Sequence, residues 1–273
     1  MPKLSVITIC FNDREGLVKT LASVFSQSWK DYEMIVIDGG STDGSAELVA
    51  QYKERFAFSV SEKDKGIYNA QNKGWRNAKG EYCLFLNSGD FFADENALQR
   101  FFASDPQEDI LYGDLLVDNG KDPLYRLGQH DPFTFEDFIY TTLFHPAAFI
   151  KRRLLEERGG YDESFRIVAD YDFFLEALLV RKCSARYIAE PVSVFNTAGV
   201  GSDPANKKLH DEERRRSQLK YFPLNEILAA EKAVQRRKPR SQRLKDATGN
   251  IPVVRELTNF GLHIFNRIRK SGN

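Results

Sequence analysis

Three cysteines, Cys10, Cys83 and Cys183, are scattered through 273 residues. They form no C-x-x-C pair, which excludes the usual zinc and dithiol motifs. Cys10 and Cys83 fall in or beside apolar strand-like runs, where small buried thiols are expected, and such usage fits a reducing, cytoplasmic setting. No apolar run approaches the roughly 20 residues that a membrane-spanning helix needs. Met1-Pro2-Lys3 leads straight into the strand-like run Leu4–Ile9, which is read as leaving no room for a signal peptide. The dinucleotide fingerprint G-x-G-x-x-G is missing, as are internal repeats and low-complexity tracts.

Net charge is also lacking, with 39 Lys and Arg against 39 Asp and Glu. The balance hides an asymmetry. Residues 1–206 carry 22 basic against 32 acidic side chains, and residues 207–273 carry 17 against 7. A basic appendage with its own partner is expected. Its clusters are Lys207-Lys208, Arg214-Arg215-Arg216, Arg236-Arg237-Lys238 and Arg267-Ile268-Arg269-Lys270. Beside an apolar helix face such as Ile251–Ile268, these clusters suit an anionic lipid surface. The plainer readings are a solvated helical appendage packed on the main domain, or a homodimer contact. No aromatic interleaving accompanies the charges, so nucleic acid is not expected.

The first ninety residues alternate strand and helix patterns. Strands are expected at Leu4–Ile9, Tyr32–Ile37, Ala57–Val60 and Tyr82–Leu86. Helices are expected through Leu17–Phe25, Leu48–Tyr52 and Ile67–Asn77. This order argues for βαβ units and a largely parallel sheet. Further on, Ile110–Val117 reads as a strand, and Pro132–Tyr140, Arg152–Glu157 and Tyr171–Val180 as helices. Arg186–Ile188 and Val192–Phe195 read as edge strands, and only helices are expected from Pro204 onward.

Carboxylates recur where these strands end: Asp38, Asp90 and Asp114. Ligands of open α/β sheets sit at the carboxyl ends of strands, so converging acids suggest ribose hydroxyls, a phosphate or a metal. In Asp38–Gly44, Asp38 suits a base N–H or ribose, while Thr42 and Asp43 also read as simple helix caps. In Asp64–Gly74, Asp64 and Lys65 precede a helix start that favours anions; the bland alternative is a solvated, capped loop. Asp90, after Asn87-Ser88-Gly89, can hold Mg²⁺ or Mn²⁺ or merely make a turn. Asp170 reads as an N-cap and Asp172 as a first-turn acid, yet a carboxylate at a helix start beside a cleft also suits a general base. His145 can bind phosphate, contact substrate or pack.

Together these segments resemble the inverting family 2 glycosyltransferases, closest to the bacterial O-antigen, capsule and exopolysaccharide subgroup. The resemblance runs from Leu4 to about Ser202. It rests on Ser5–Asn12, Asp38–Gly44, Asp64–Gly74, Phe85–Asp90, His145-Pro146, Gly160–Glu163 and Ala169–Asp172, in that order. It implies an α/β GT-A fold, a Rossmann-like nucleotide-binding mixed sheet flanked by helices. The catalytic domain would span 1–203, with a nucleotide-sugar half to about 115 and an acceptor half to 203, followed by a basic helical extension over 204–273. It implies a nucleotide-diphosphate sugar donor, by analogy a UDP-sugar, held by Thr8, Cys10, Asn12, Asp38, Asp64, Lys65, Asn72 and Asp114. Asp90 would hold a divalent metal, Mn²⁺ or Mg²⁺, and Asp170 would be the base. His145 and Asp172 would lie on the acceptor or phosphate side. The acceptor would be a glycan or lipid-linked glycan hydroxyl, with the protein cytoplasmic or peripheral on the inner membrane face. Three departures stand out: the D-x-D motif reads Asn87-Ser88-Gly89, Ala169 replaces the Glu of Glu-Asp, and Asn69 stands where the subgroup often has Asp. The competing readings are a nucleotidyltransferase, for which Phe11–Gly16 lacks the basic glycine-rich loop, and a non-catalytic nucleotide-sugar binder or assembly subunit.

Overall fold

The computed structural model describes residues 1–199 and 203–237; the expected apolar face at Ile251–Ile268 lies outside them. The chain divides into two compact units, Met1–Phe222 and Pro223–Asn273. In the first unit β1 (Leu4–Cys10), β2 (Tyr32–Asp38), β3 (Phe58–Ser61), β4 (Tyr82–Phe85) and the short β5 (Phe91–Phe92) alternate with α1 (Arg14–Phe25), α2 (Ser45–Gln51) and α3 (Ile67–Arg76). Then come α4 (Ala97–Phe102), β6 (Ile110–Asp118), β7 (Tyr125–Leu127), α5 (Phe135–Phe138), β8 (Ala148–Lys151), α6 (Arg152–Arg158), α7 (Ala169–Leu175), β9 (Ala185–Asn196) and α8 (Lys207–Tyr221). A π-helical turn, Glu176–Val180, extends α7. The described part of the second unit holds α9 (Leu224–Arg237).

Among the described residues, nine strands form one mixed sheet in the order β3-β2-β1-β4-β8-β6-β9-β5, with β7 hydrogen-bonded to β6. β1 is parallel to β2 and β4, so Thr8 lies opposite Val36 and Cys10 opposite Asp38. β8 runs antiparallel between β4 and β6. This strand was not anticipated, because four residues after His145-Pro146 carry little pattern of their own. β9 corrects the expectation of two edge strands. It is one strand inside the sheet, parallel to β6, with a register shift near Pro191 where the sequence pattern broke.

Side-chain alternation divides the core. Ile7, Ile9, Ile35, Ile37, Cys83 and Phe85 face one way and pack with Tyr68 of α3 and Tyr171, Phe173 and Phe174 of α7. Leu4, Val6, Val36, Tyr82 and Leu84 face the other, toward Leu17, Leu21 and Val24 of α1 and Leu48 of α2. α1 starts where Asp13 accepts a bond from Gly16 N at 3.1 Å, a side-chain cap that satisfies one orphan donor of the first turn.

The expected boundary at 203/204 falls short of the compact unit's end. α8 belongs to the first unit, and side chains from it reach the loop before α7. Glu213 accepts from Arg166 N at 2.8 Å and Ile167 N at 3.0 Å. Arg214 donates to Phe138 O and Thr141 O and lies 4.4 Å from the Tyr171 ring centroid. Arg216 donates to Ser164 O and covers the Phe165 ring. Arg214 and Arg216 are therefore committed to the protein rather than free for lipid.

Candidate active site

At the carboxyl end of β2, Asp38 is fully buried. Its Oδ2 accepts from Gly40 N, Ser41 N and Ser61 Oγ at 3.2, 3.0 and 2.5 Å. Its Oδ1 is buried with no partner. A buried polar atom without a partner is unfavourable, so this oxygen suits a ligand N–H or hydroxyl. Beside it, Gly39 has no room for a side chain: a Cβ there would stand 2.5 Å from Asp64 Oδ2 and 3.2 Å from the Phe11 ring. Phe11 is 64% exposed. An exposed ring, a free carboxylate oxygen and Asp64 thus meet at one strand edge, where a flat base can stack and be read. Phe11 escaped sequence reasoning because an aromatic after a core strand reads as core.

Several other expected donor residues act as braces. Thr8 is buried and donates to Leu86 O at 2.8 Å, tying β1 to the end of β4. The Cys10 side chain is buried in the α1-facing core. Asn12, with φ of 50°, accepts from Thr42 N and takes Ser41 Oγ on its own N–H, so it holds the Asp38–Gly44 loop. Asp64 Oδ1 accepts from Gly66 N at 2.8 Å, while Lys65 is exposed at the rim. Asn72 is a correction. Its Nδ2 donates to Tyr161 O and Glu163 Oε1, and its Oδ1 accepts from Trp75 Nε1 and Tyr161 N. That leaves none of the amide for a donor.

Asp172 is a second correction. Two residues beyond Asp170, it points about 200° around the helix. It is fully buried against the Arg158 guanidinium, Ser217 Oγ at 2.7 Å and Lys220 Nζ at 3.2 Å, and cannot face the acceptor side. Asp114 lies buried on β6, where Tyr187 Oη, Gln129 N and the Arg126 guanidinium hold both its oxygens.

Asp170 lies in the first turn of α7, with Val168 rather than Asp170 as the cap. Its Oδ2 is 3.2 Å from His145 Nδ1, and its Oδ1 accepts from Tyr68 Oη at 2.9 Å. Burial would push its carboxyl up, but the His145 bond and charge outweigh it and hold the group below the usual range. Burial likewise pulls His145 down, and Asp170 outweighs it, leaving the imidazole raised. His145 Nε2 is 3.2 Å from Asn87 Nδ2, in the loop that also carries Asp90. Asp90 is 4% exposed, and its Oδ1 accepts from Asn196 N at 3.0 Å. Burial raises its carboxyl to about 7, against the lowering effect of His145. Thus His145, Asp170 and the Asp90 loop are joined, with Tyr68 and Asn87 added to what the sequence offered.

Among the described residues, no group of three or more His, Cys, Asp or Glu is placed to hold a metal ion. Asp90 is a buried acid with no cationic partner in hydrogen-bond contact, held at one oxygen by Asn196 N. That fits a hard cation bound through one protein carboxylate plus phosphate oxygens and water.

The family model for Glycosyl transferase family 2 matches residues 5–166. An uncharacterized glycosyltransferase of Mycobacterium tuberculosis is 35% identical over 229 residues, covering 80% of this chain and 84% of that protein. Among solved structures, the mannosyltransferase PcManGT of Pyrobaculum calidifontis, in complex with GDP-Man and Mn²⁺, aligns with a TM-score of 0.65 at 18% identity, over 98% of this chain and 82% of that one. S. aureus TarS 1–349, in complex with UDP-GlcNAc, aligns with a TM-score of 0.57 at 20% identity, over 71% of this chain and 58% of that one, so this chain spans less than two thirds of its length. These structures establish the expected GT-A fold, while the match of the family model over more than half of the sequence and the kinship with the mycobacterial protein make the chain a member of glycosyl transferase family 2, a glycosyltransferase.

Proposed function

We propose that the protein transfers a sugar, with inversion, from a nucleoside-diphosphate donor, in the first instance a UDP-sugar, to a hydroxyl of a glycan or lipid-linked glycan in surface polysaccharide synthesis. The observation that carries this reading is Asp170, ionised and held by two hydrogen bonds on the α7 start, joined through His145 to the Asp90 loop. The nucleotidyltransferase and non-catalytic readings give way to glycosyl transfer. UDP-GlcNAc in one structural neighbour and GDP-Man in another support the donor class.

The base of the nucleotide stacks on Phe11 and meets Asp38 Oδ1 and Asp64. Asp114 with Arg126 lies toward the sugar. Asp170 takes the acceptor O–H proton as the acceptor oxygen bonds to the anomeric carbon and the bond from that carbon to the diphosphate breaks on the opposite face. A general base of this kind contributes about 10²–10⁴-fold. The divalent metal, present with GDP-Man in the PcManGT neighbour, would be held by Asp90 and would stabilise negative charge on the leaving diphosphate.

Asp170→Asn is expected to lower transfer by about 10²–10⁴-fold while UDP still binds in calorimetry. The substrates are a panel of UDP- and GDP-sugars with p-nitrophenyl glycoside acceptors, followed by nucleotide release. Undiminished transfer by this variant would remove Asp170 from the role.

A further inference from the structure

A chain of polar contacts leads to Asp170 from α3 through the loop after β4 and His145. Gln71 Nε2 donates to Asn87 Oδ1 over 3.2 Å, Asn87 Nδ2 stands 3.2 Å from His145 Nε2, and His145 Nδ1 stands 3.2 Å from Asp170 Oδ2. Tyr68 Oη holds the other oxygen and also approaches Ile167 O at 2.5 Å. A carboxylate only accepts, so the proton between His145 and Asp170 belongs to Nδ1. Nε2 then faces the Asn87 amide with a lone pair, which Asn87 Nδ2 satisfies.

We propose that His145 is the positioning residue for the transfer reaction. It keeps Asp170 aimed at the acceptor hydroxyl and ionised, and the Asn87–Gln71 amide pair accommodates the imidazole in both of its charge states. The proposal rests on the reading of Asp170 as the base.

The amide pair is the reason both states are stable. Amide oxygen and nitrogen occupy nearly the same volume. When both amides invert, Asn87 presents Oδ1 to a protonated Nε2–H, and its Nδ2 donates to Gln71 Oε1. No hydrogen bond in the chain is lost. A carboxylate at position 87 would accept only and would lock the ring as an imidazolium between two acids. The groups bearing on the pair are Asp90 from the loop after β4, Tyr68 of α3, Tyr161, and His210 and Arg214 of α8. The side-chain bonds to His145 and Tyr68 fix the direction of the carboxylate, with the Tyr171 backbone N–H also donating to it. During transfer the acceptor proton goes to Asp170, and His145 retains its own Nδ1 proton throughout.

The test uses the full chain and the UDP-sugar and p-nitrophenyl glycoside pair that gives the fastest UDP release. It measures kcat and donor KM against pH for the wild type, His145→Ala, His145→Asn and Asp170→Asn. His145→Ala is expected to lower kcat by about 10–100-fold with donor KM changed less than about threefold. The acid limb of kcat should move upward by about one pH unit, since a buried carboxyl freed of its partner rises. His145→Asn, whose Nδ2 can stand in for Nδ1–H, should restore most of the rate and the limb. An unmoved acid limb, or a raised KM at unchanged kcat, would overturn the proposal. Should His145→Ala fail to fold, His145→Asn against His145→Gln decides: the former should keep the limb and the latter, reaching the Nε2 position, should not, and equal limbs refute the idea. Wild-type turnover by Asp170→Asn would instead refute the base reading beneath it.

Discussion

Asp90 carries a charge that the fold resists. Its carboxyl, near 3.9 in an unfolded chain, stands at about 7 when buried. Between those values the folded state binds the extra proton, so stability falls as pH rises from about 4 to 7 and levels off above. Asp90→Asn, which keeps an oxygen for Asn196 N, should therefore stabilise the protein in metal-free buffer. The gain in Tm should be small near pH 4, grow up to about pH 7, level off above it, and correspond to roughly 4 kcal/mol at most. A gain independent of pH would show that the penalty is not ionic. Asp172 has the opposite character: Asp172→Ala removes one of the two carboxylates paired with the buried Arg158, leaving Glu176, and also strips Ser217 Oγ of its acceptor, so it should destabilise by about 1–3 kcal/mol, read as a lower urea midpoint. The sequence marked Asp38, Asp90 and Asp170 because each ends a strand or opens a helix next to the sheet edge. It did not separate ligand-facing polar groups from braces. Asn72 and Asp172 are motif residues whose partners, Tyr161 and Ser217, lie far along the chain, and His145 meets Asn87 across 58 residues. Local pattern contains no trace of such pairings.

At the scale of elements, α8 shows how composition misleads. Its run Lys207–Tyr221 reads as a basic, solvated helix, yet Glu213, Ser217 and Gln218 are buried and hold the segment that delivers Asp170. Glu213 is the one to test. Glu213→Ala orphans Arg166 N and Ile167 N, at about 1–3 kcal/mol for each lost partner. Melting temperature should fall and turnover per folded molecule should fall with it, because the α7 start loosens. If Tm drops while turnover per folded molecule is unchanged, α8 supports the fold alone. The βαβ run from β1 to β4 was readable because strand and helix periods alternate cleanly there. β8 and the middle of β9 were not, since four residues and a Pro191 bulge give no period to follow.

For the whole molecule, the excess of positive charge in residues 207–273 outlasts the loss of Arg214 and Arg216 to internal bonds. Lys207 and Lys208 are exposed, each in a solvent-screened pair with Asp211 or Glu212 one turn on, and no helix among the described residues can cross a membrane. We propose that this region meets anionic lipid at its surface. Full-length protein should sediment with phosphatidylserine vesicles at low salt and release at about 0.5 M, where screening lengths shrink below 5 Å; no salt-sensitive binding would sink the idea.

The bond from Asn196 N to Asp90, with β5 paired on β9, ties the expected donor half of the molecule to its last strand. Recombining donor specificity between relatives by a single crossover near residue 115 would therefore separate Asp90 from the strand that seats it. Chimeras that also carry 185–196 from the donor parent should be the ones that keep function.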